Sequence, residues 1–313
     1  MIKLTGENMC MPAPCALAVG KFESIHLGHQ AVIQCLLDNA AKKDMPQPLL
    51  TAVMTFDPHP NRVLADPGYQ PLYTSHEREN IVSDLGLDYL LEYPFSVKLA
   101  NLSPIDFCNI LFNDLQARII VVGEGYRFGK NRAGTIETLR TQAAMRSAQI
   151  YEVPYTIKTS TSAIRAELSA GNLAQATTFL GRPFFVMGTV TPGRRLGRTI
   201  GFATNNIYPP DDKFLPPHGV YCTRVTTGGR SYNGITNIGV RPTVESVGVP
   251  RSVETHLLDY TGPDMYGAHI QVELLQFIRP EKRFSGLEAL RAQIELDCQW
   301  ARGFFRRNVY VIN

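Results

Sequence analysis

The spacing of apolar residues changes once along this chain, near residue 183, and this change limits the folds available to it. Before residue 183, short apolar runs alternate with segments in which apolar residues recur every three to four positions, as in strands separated by helices. After it, strand-like segments follow one another with turn residues between them. The 313 residues suffice for two domains, which we predict at 1–183 and 184–313; one large sheet with an insertion is the main alternative.

The first domain is predicted to contain a parallel sheet, so that the fold class is α/β. Helices that link successive strands place those strands parallel, and ligands of such sheets bind beyond the carboxyl ends of the strands. The loops after Val19, Phe56 and Val122 are therefore the predicted binding region. Strands are expected at 16–19, 49–56, 88–91 and 119–122, and helices after the first strand and at 76–85 and 104–115.

The second domain is predicted to be an antiparallel β-barrel followed by a C-terminal helix. Its strands are expected at 184–190, 219–226, 232–238, 253–260 and 270–278. From Ser285 to about Arg306 the apolar spacing is helical. The stripe expected to pack on the barrel consists of Leu287, Leu290, Ile294 and Ala301, with Trp300 beside it.

Composition argues against large charged partners. The 31 Lys and Arg residues exceed the 28 Asp and Glu residues by a formal charge of +3, which is too small to indicate binding to nucleic acid or to a membrane surface. No apolar run reaches the roughly 18 residues of a membrane span, and residues 1–14 lack the pattern of a leader peptide. The six scattered cysteines are expected to be free thiols, so we predict a cytoplasmic protein, with no feature that indicates an oligomeric state.

The loop after the first strand, 20–30, carries His26 and His29 around Gly28 at the start of a helix. A glycine lets a ligand approach the backbone, and two imidazoles beside a helix N-terminus can converge on an anion. The pattern favours a bound triphosphate. The alternative is that the two histidines only cap or cover the first helical turn. His59 in the loop after the second strand is interpreted as structural.

Two other segments of the first domain combine polar and glycine residues. The loop 122–134 mixes glycines, two aromatic residues and three basic residues, and is either a ligand site or a glycine-rich connector. Ser160, Ser162 and Arg165 begin a further helix, where they either cap the helix or bind a phosphate.

The barrel carries two chemical features. The loop with Gly193, Gly197 and Arg198 suits phosphates, and the oxygens of Thr204 and Asn206 that follow it suit a partly hydrated Mg²⁺. The alternative is an exposed loop with solvated arginines. Glu254 lies with His256 on one face of a strand, where it is either solvated or a general base for a substrate hydroxyl.

Taken in order over residues 15 to 302, these segments resemble the prokaryotic bifunctional riboflavin kinase/FAD synthetase family. The first half is similar through GKFESIHLGHQ, TFDPHP, VVGEGYRFG and STSAIR, and the second through GRRLGRTIGFATNN, HGVY, NIGVRPT, VETHLLD and FIRPEKRF. The resemblance implies a Rossmann-like nucleotidyltransferase domain and a kinase barrel. The barrel would phosphorylate riboflavin with ATP to give FMN, and the first domain would adenylylate FMN with ATP to give FAD and pyrophosphate, both with Mg²⁺.

The resemblance also implies roles for individual residues of the first domain. His26, Gly28 and His29 would hold the ATP phosphates of adenylyl transfer, with Ser160, Ser162 and Arg165 closing over them. Further contacts to the substrates are expected from Gly20, Phe22 and Arg127.

In the kinase domain, the residues that the resemblance implies cover both substrates. Gly193, Gly197 and Arg198 would border ATP, and Glu254 would be the base on the riboflavin hydroxyl. Arg279 would belong to a loop that closes over the flavin. Thr204 and Asn206 would bind Mg²⁺.

The sequence departs from the family pattern in several places: Ser24 replaces a glycine, Gly125 replaces Asp or Asn, Ala203 replaces a proline, and Ser160-Thr161-Ser162 replaces Ser-Ser-Thr but keeps the hydroxyls. They leave three alternative hypotheses. The chain could be a riboflavin kinase only, with a first domain that binds or regulates. It could be a flavin-binding protein without catalysis, or a nucleotidyltransferase for a different acceptor.

Overall fold

The computed structural model describes residues 1–42, 48–155, 159–193, 196–240 and 251–307. The chain divides into two compact units, Met1–Thr161 and Ser162–Asn313. The functional boundary predicted at residue 183 stays a prediction, because compactness does not test which residues each activity requires. No helix within the described ranges is both long enough and apolar enough to cross a membrane.

The first unit contains a six-stranded sheet whose pairings are all parallel, which confirms the predicted class. The strand order is β1-β4-β3-β2-β5-β6, so the completely buried β2 lies between β3 and β5. The strands are β1 (Ile2–Thr5), β2 (Cys15–Val19), β3 (Leu50–Asp57), β4 (Tyr89–Pro94), β5 (Ala117–Gly123) and β6 (Gln149–Val153). The prediction missed the two edge strands, β1 and β6, because their residues are half-buried or exposed and form no apolar run.

Helices connect these strands, and polar caps define where several of them begin. The side chain of Thr74 accepts from the Glu77 N–H and Glu77 bonds back to Thr74, which forms a capping box at the start of α3. Ser103 caps α5 ahead of Pro104, at the start of the helix predicted at 104–115. The helices are α1 (Leu27–Ala40), α2 (Pro60–Leu64), α3 (Ser75–Asp84), α4 (Val97–Ala100), α5 (Pro104–Asn109) and α6 (Ile136–Ala144), with a π-helical turn at Ile110–Asp114.

The second unit contains a six-stranded antiparallel sheet in the order β7-β12-β9-β10-β11-β8. An antiparallel bridge between Thr191 and Asn206 joins the chain just beyond β7 to β8, so the two edges of the sheet meet. This curled sheet confirms the predicted barrel. The strands are β7 (Phe184–Thr189), β8 (Asn205–Ile207), β9 (Gly219–Thr227), β10 (Arg230–Val240), β11 (Arg251–Leu257) and β12 (His269–Pro280).

A row of hydroxyl groups is buried in this sheet. Thr236 on β10 lies between Thr223 on β9 and Thr255 on β11, and both oxygen-to-oxygen distances are 2.8 Å. All three residues are completely buried. Each hydroxyl can donate once and accept, so the row satisfies itself only in this register of the three strands.

Four helices complete the chain: α7 (Thr161–Ser169), α8 (Leu173–Leu180), α9 (Leu196–Thr199) and α10 (Leu287–Arg307). The predicted C-terminal helix is confirmed as α10, but its predicted stripe is partly wrong, because Leu287 is 47% exposed. The buried residues of α10 are Asp297, Cys298, Ala301 and Phe304. A buried carboxylate belongs to the contact face, and a stripe defined by apolar residues alone could not include it.

A buried ion network fixes the edge of the first sheet. The Arg78 guanidinium donates to Glu92 Oε1, and Lys3 Nζ lies 2.8 Å from Glu92 Oε2. Burial alone would raise the pKa of Glu92, but the charge of Arg78 and hydrogen bonds from Lys3, Ser75 and Arg78 hold that pKa below its usual value. Because Lys3 lies on β1, Arg78 on α3 and Glu92 on β4, the network joins three elements.

We expect Arg78→Met to lower the free energy of unfolding of the first unit by about 3–5 kcal/mol, because it leaves a buried carboxylate without its main partner. Far-UV circular dichroism during urea unfolding measures this change. The single tryptophan, Trp300 on α10, reports on the second unit, and its unfolding transition should not move.

The matched control for this prediction is Glu79→Gln. Glu79 Oε2 lies 3.6 Å from Lys3 Nζ, but its side chain is 36% exposed, so its loss should cost less than about 1 kcal/mol. Equal destabilisation by the two variants would contradict the assigned role of Arg78.

Candidate active sites

The loop between β2 and α1 has a constrained backbone. Phe22 and Ile25 are completely buried non-glycine residues in the left-handed region, with φ of 39° and 45°. This conformation is costly for a β-branched residue and persists only where surrounding contacts impose it. Here the side chain of Gln30 donates to the Ile25 carbonyl at 3.0 Å, and the Thr55 hydroxyl donates to the Lys21 carbonyl. The loop is therefore held in one shape beside the carboxyl ends of β2 and β3.

His26 and His29 lie against each other at the start of α1. Their rings stack with centroids 3.8 Å apart, and His26 Nδ1 accepts from the His29 N–H at 3.2 Å. A Cβ built on Gly28 would lie 3.0 Å from the His26 ring, so a side chain there would crowd that ring. His26 thus caps the helix, as the alternative interpretation expected, and its accepting Nδ1 leaves Nε2 as the protonated nitrogen. The anion-binding role of both histidines stays a prediction.

A buried carboxylate anchors this loop. Glu23 Oε2 accepts from the Tyr69 hydroxyl at 2.6 Å and lies 3.2 Å from His59 Nε2, while Oε1 accepts from the Leu72 N–H at 3.1 Å. His59 also stacks on Tyr69 and caps α2. The structural interpretation of His59 therefore agrees with its contacts. The sequence analysis assigned no role to Glu23, although an acid directly before Ser24 and His26 was a usable signal.

The substitution of Ser24 for the family's glycine fits the observed backbone. Ser24 is fully buried and is not among the residues with positive φ, so this position does not require glycine. Its hydroxyl lies 2.9 Å from the Thr161 hydroxyl. The segment from Thr159 to Thr161 therefore lies beside the loop, and the Thr159 methyl group is 3.8 Å from a Cβ built on Gly28.

The remaining predicted residues of this group are placed as follows. Ser160 is exposed in the first unit, and Ser162 and Arg165 belong to the second unit, in the first turns of α7. The Arg165 guanidinium lies 4.9 Å from the centre of the Phe214 ring. Gly20 follows β2 directly, and its N–H donates to the Met54 carbonyl at 3.2 Å.

The loop after β5 explains the second departure and corrects one expectation. Gly125 has φ of 68°, a conformation that glycine adopts freely and that Asp and Asn tolerate best among other residues. Of the two aromatic residues that could have stacked on a ligand, Phe128 is buried in the core against Phe107, with Tyr126 stacked on it. Arg127 between them is exposed. This loop therefore offers a cation rather than a pair of free rings.

Cations from two loops lie near each other at this edge of the sheet. Burial lowers the pKa of Lys21, which follows β2, and the charge of Arg132 in the loop after β5 lowers it further, while Glu23 raises it. Mutual repulsion between two cations is relieved when an anion binds between them. Neither Lys21 nor Arg132 was identified as a candidate site residue from the sequence.

In the second unit, Asn206 has a distinctive environment. Among the described residues, its buried Oδ1 has no hydrogen-bond partner. A Cβ built on Gly193 would lie 2.2 Å from the Asn206 amide nitrogen, so the chain approaches Asn206 as only glycine permits. A Cβ on Gly197 would lie 2.2 Å from the Phe202 carbonyl oxygen, which excludes other residues in the same way.

The strand register brings the predicted barrel residues into one row. Asn206 on β8 is opposite Glu254 on β11, and Glu254 is opposite Asn237 on β10. Val220 on β9 and Arg279 on β12 continue the row. Residues directly opposite each other in antiparallel strands share a face. Asn206, Glu254 and Arg279 therefore belong to the same face of the sheet.

The contacts of this row differ along its length. Glu254 is half-buried, and its Oε1 accepts from the Ser252 hydroxyl at 3.1 Å. Asn237 donates to Glu281 at 3.3 Å. Arg279 forms a two-point ion pair with the buried Asp297 of α10, with Nε to Oδ1 at 2.9 Å and Nη2 to Oδ2 at 2.6 Å. Asn237, Glu281 and Asp297 were missed from the sequence, although a carboxylate within a predicted apolar helix face was a signal for Asp297.

Beside this row is a cavity of 110 Å³. Arg198 and Asp264 form an ion pair of 2.5 Å at the cavity, and Thr204 lies in its wall with aromatic residues. Within the described part of the chain, no group of three or more His, Cys, Asp or Glu residues could hold a metal. Residues that line the cavity include Arg198, Ala203, Thr204, His256, Tyr260 and Tyr266.

Comparison with known proteins matches each half of the chain to a different family model. A model described as FAD synthetase matches residues 9–165, and one described as riboflavin kinase matches residues 180–305. A crystal structure titled macrolide-efflux protein from Streptococcus pneumoniae superposes with a TM-score of 0.84 at 28% identity, covering 96% of this chain and 99% of that one. The two chains therefore share their architecture.

Two curated relatives cover nearly the whole chain. The bifunctional riboflavin kinase/FMN adenylyltransferase of Escherichia coli (strain K12) is 36% identical over 301 residues, 93% of each chain. The protein of the same description from Bacillus subtilis (strain 168) is 36% identical over 299 residues, 94% of this chain and 93% of that one. The chain therefore belongs to the bifunctional riboflavin kinase/FMN adenylyltransferase family.

Proposed function

We propose that this chain makes two flavin cofactors in succession: it phosphorylates riboflavin with ATP to give FMN, and it transfers AMP from ATP to FMN to give FAD and pyrophosphate. The observation that carries the proposal is the row in the second unit that sets Glu254 opposite Asn206. Purified protein given riboflavin, ATP and Mg²⁺ should yield first FMN and then FAD by chromatography. Absence of FMN would reject the kinase.

Phosphorylation of riboflavin needs a base, because the ribityl hydroxyl is a poor nucleophile until its proton is removed. Glu254 is suited to this role, since Ser252 occupies one carboxylate oxygen and the side chain is half-buried. The hydroxyl oxygen would form a bond to the γ-phosphorus of ATP, its proton would pass to Glu254, and ADP would leave. Catalysis of such a transfer consists mainly of alignment and charge neutralisation.

Mg²⁺ fits the residues beside Glu254. Mg²⁺ takes oxygen ligands and usually keeps several waters while it shares substrate phosphates with one or two protein groups. The partnerless, buried Oδ1 of Asn206 is such a ligand, and we assign the Thr204 hydroxyl as the second. A bound Mg²⁺ would supply positive charge to the phosphates. Gly193 and Gly197, where a Cβ would clash with Asn206 and with the Phe202 carbonyl oxygen, would border ATP, and Arg198 at the cavity is a further cation.

Adenylyl transfer needs no protein base, because the FMN phosphate is already an anion at neutral pH. Its oxygen would form a bond to the α-phosphorus of ATP and pyrophosphate would leave. The N-terminus of α1 supplies partial positive charge for the triphosphate, His26 and His29 would add N–H donors beside it, and Gly28 leaves the backbone open to it. Ser160, Ser162 and Arg165 remain the proposed second side of this site, and Gly20, Phe22 and Arg127 its further contacts.

The three alternative hypotheses are less well supported than the bifunctional enzyme. Neither Ser24 nor Gly125 has a strained or blocked environment, which removes the reason for a kinase-only chain. A protein that only binds flavin has no need of a carboxylate beside a metal ligand. An acceptor other than FMN would leave the kinase barrel without a purpose.

The six described cysteines are all free, which supports the expected cytoplasmic location.

We expect Glu254→Gln to lower kcat for FMN formation about 100-fold or more, because the variant keeps the shape of the side chain but cannot take a proton. The assay is the rate of FMN formation from riboflavin at saturating ATP. Conversion of added FMN to FAD by the same preparation is the control and should be unchanged. A kinase rate equal to that of the unmodified protein would remove Glu254 from the mechanism.

We expect His29→Ala to suppress FAD formation from FMN by about 10- to 100-fold, because it removes a hydrogen-bonding ring and its aromatic contact beside the helix N-terminus. FMN formation from riboflavin should be unaffected. Separate assays started from riboflavin and from FMN measure the two effects. Equal loss of both products would contradict two separate active sites.

We expect Ser24→Gly, which restores the family residue, to leave the rate of FAD formation within about threefold and to lower stability by about 1 kcal/mol through loss of the hydrogen bond to Thr161. The assay pairs FAD formation from FMN with urea unfolding. A large gain in FAD formation would instead show that Ser24 impairs the site, as the kinase-only hypothesis requires.

A further inference from the structure

His256 connects the strand that carries Glu254 to the loop that carries Thr204. His256 Nδ1 lies 2.9 Å from the Ala203 carbonyl oxygen, and its ring meets the Phe202 ring edge-on with centroids 5.2 Å apart. His256 follows Glu254 by two residues on β11, so both side chains leave the same face of the strand. The contact therefore spans from the strand of the proposed base to the residue just before Thr204.

Apart from His256, few hydrogen bonds restrain the backbone around the Ala203 carbonyl. On its N-terminal side, Phe202 N–H donates to the Gly197 carbonyl at 2.7 Å, and on its C-terminal side the pairing of β8 with β11 begins at Asn205. Ala203 and Thr204 lie between these two anchors, outside helix and strand. Within the described ranges, the contact with His256 is the one hydrogen bond of the Ala203 backbone.

The chemical state of His256 suits this contact. Burial lowers the pKa of His256, and Arg302 lowers it too, while the bond to Ala203 and the charge of Asp259 oppose them. A carbonyl oxygen can only accept, so Nδ1 must carry the proton. The neutral ring then has its proton committed to the loop.

We propose that His256 is a positioning residue for phosphoryl transfer. By donating to the Ala203 carbonyl, it fixes the adjacent Thr204 relative to Glu254 on its own strand. The inference rests on the proposed kinase function and adds to it a residue whose side chain acts through the backbone of the metal-binding and ATP-binding loop. At Ala203, where the family pattern has a proline, this hydrogen bond restrains a backbone that no proline ring restrains.

The test compares two variants of the full chain. His256→Phe keeps a ring of similar size but has no donor. His256→Asn keeps an N–H donor near the position of Nδ1. For His256→Phe we expect kcat/KM for ATP in FMN formation to fall roughly 10-fold, with the KM for riboflavin changed less than about twofold, and His256→Asn should recover most of the loss.

A second measurement reports on the loop without turnover. Hydrogen–deuterium exchange of a peptide that covers residues 196–207, in protein without nucleotide or metal, should be faster in His256→Phe than in the unmodified protein. His256→Asn should return exchange to the original rate. A residue that served only general stability would accelerate exchange throughout the second unit instead of in this peptide.

The outcomes separate the two proposals. If the unmodified protein makes no FMN, the proposed kinase function fails whatever the variants do. If it makes FMN and His256→Phe matches it in kcat/KM for ATP, the inference is overturned. It is also overturned if His256→Asn is as impaired as His256→Phe. If His256→Phe does not fold, His256→Asn is compared with the unmodified protein, and a fall of roughly 10-fold in kcat/KM for ATP overturns the inference. FAD formation from added FMN should be the same in all three proteins.

Discussion

The backbone hydrogen bonds between β8 and β11 are the constraint on which the proposed kinase site depends, because they set Asn206 directly opposite Glu254. A slip of one residue in either strand would turn one of these side chains to the other face of the sheet. β8 has three residues, so its own bonds cannot secure the register. The buried hydroxyl row of Thr223, Thr236 and Thr255 secures β11 from the opposite side, since its oxygens meet only when the three strands are aligned.

The first unit solves the same problem in a different way. Its site lies in a loop, where no ladder of backbone hydrogen bonds fixes the residues. Side chains replace the ladder: Glu23 accepts from Tyr69 and Leu72 and lies 3.2 Å from His59, Gln30 holds the Ile25 carbonyl, and Ser24 contacts Thr161. These contacts offset the strained backbone of Phe22 and Ile25. The departure at Ser24 is therefore part of a set of contacts and cannot be judged from that position alone.

Sequence patterns predicted those strands that contain a distinct run of apolar residues or of strand-forming residues between turns. The buried strands β2, β3 and β5 contain such runs, whereas the edge strands β1 and β6 and the three-residue β8 do not and were missed. The predicted strand at 253–260 ends at Leu257, because Asp259 has φ of 58°. The apolar stripe predicted for α10 was wrong at Leu287. The buried face of α10 instead includes Asp297, which pairs with Arg279.

The candidate residues were identified from the sequence more fully than the contacts between them. Nothing in a single sequence indicates that Asn206 and Glu254, 48 positions apart in the numbering, are direct neighbours, because that depends on strand register. The pairing of Arg279 with Asp297 likewise requires a register shift in β12 that no local pattern marks. Glycines were the exception. Gly193 and Gly197 were singled out as part of a loop suited to phosphates, and built Cβ atoms at both positions would clash with neighbouring atoms.

The carboxylates of Glu23 and Glu254 differ in how many of their oxygens accept hydrogen bonds, and this difference matches the chemistry proposed for each unit. An alcohol must lose a proton as it attacks phosphorus, whereas a phosphate group has already lost it. Glu23 in the first unit is bound by donors on both oxygens, which leaves it little capacity to accept a substrate proton. Glu254 in the second unit accepts from Ser252 on one oxygen only. The chain thus keeps an available carboxylate where the acceptor is a hydroxyl, and uses its carboxylate to hold a loop where the acceptor is an anion.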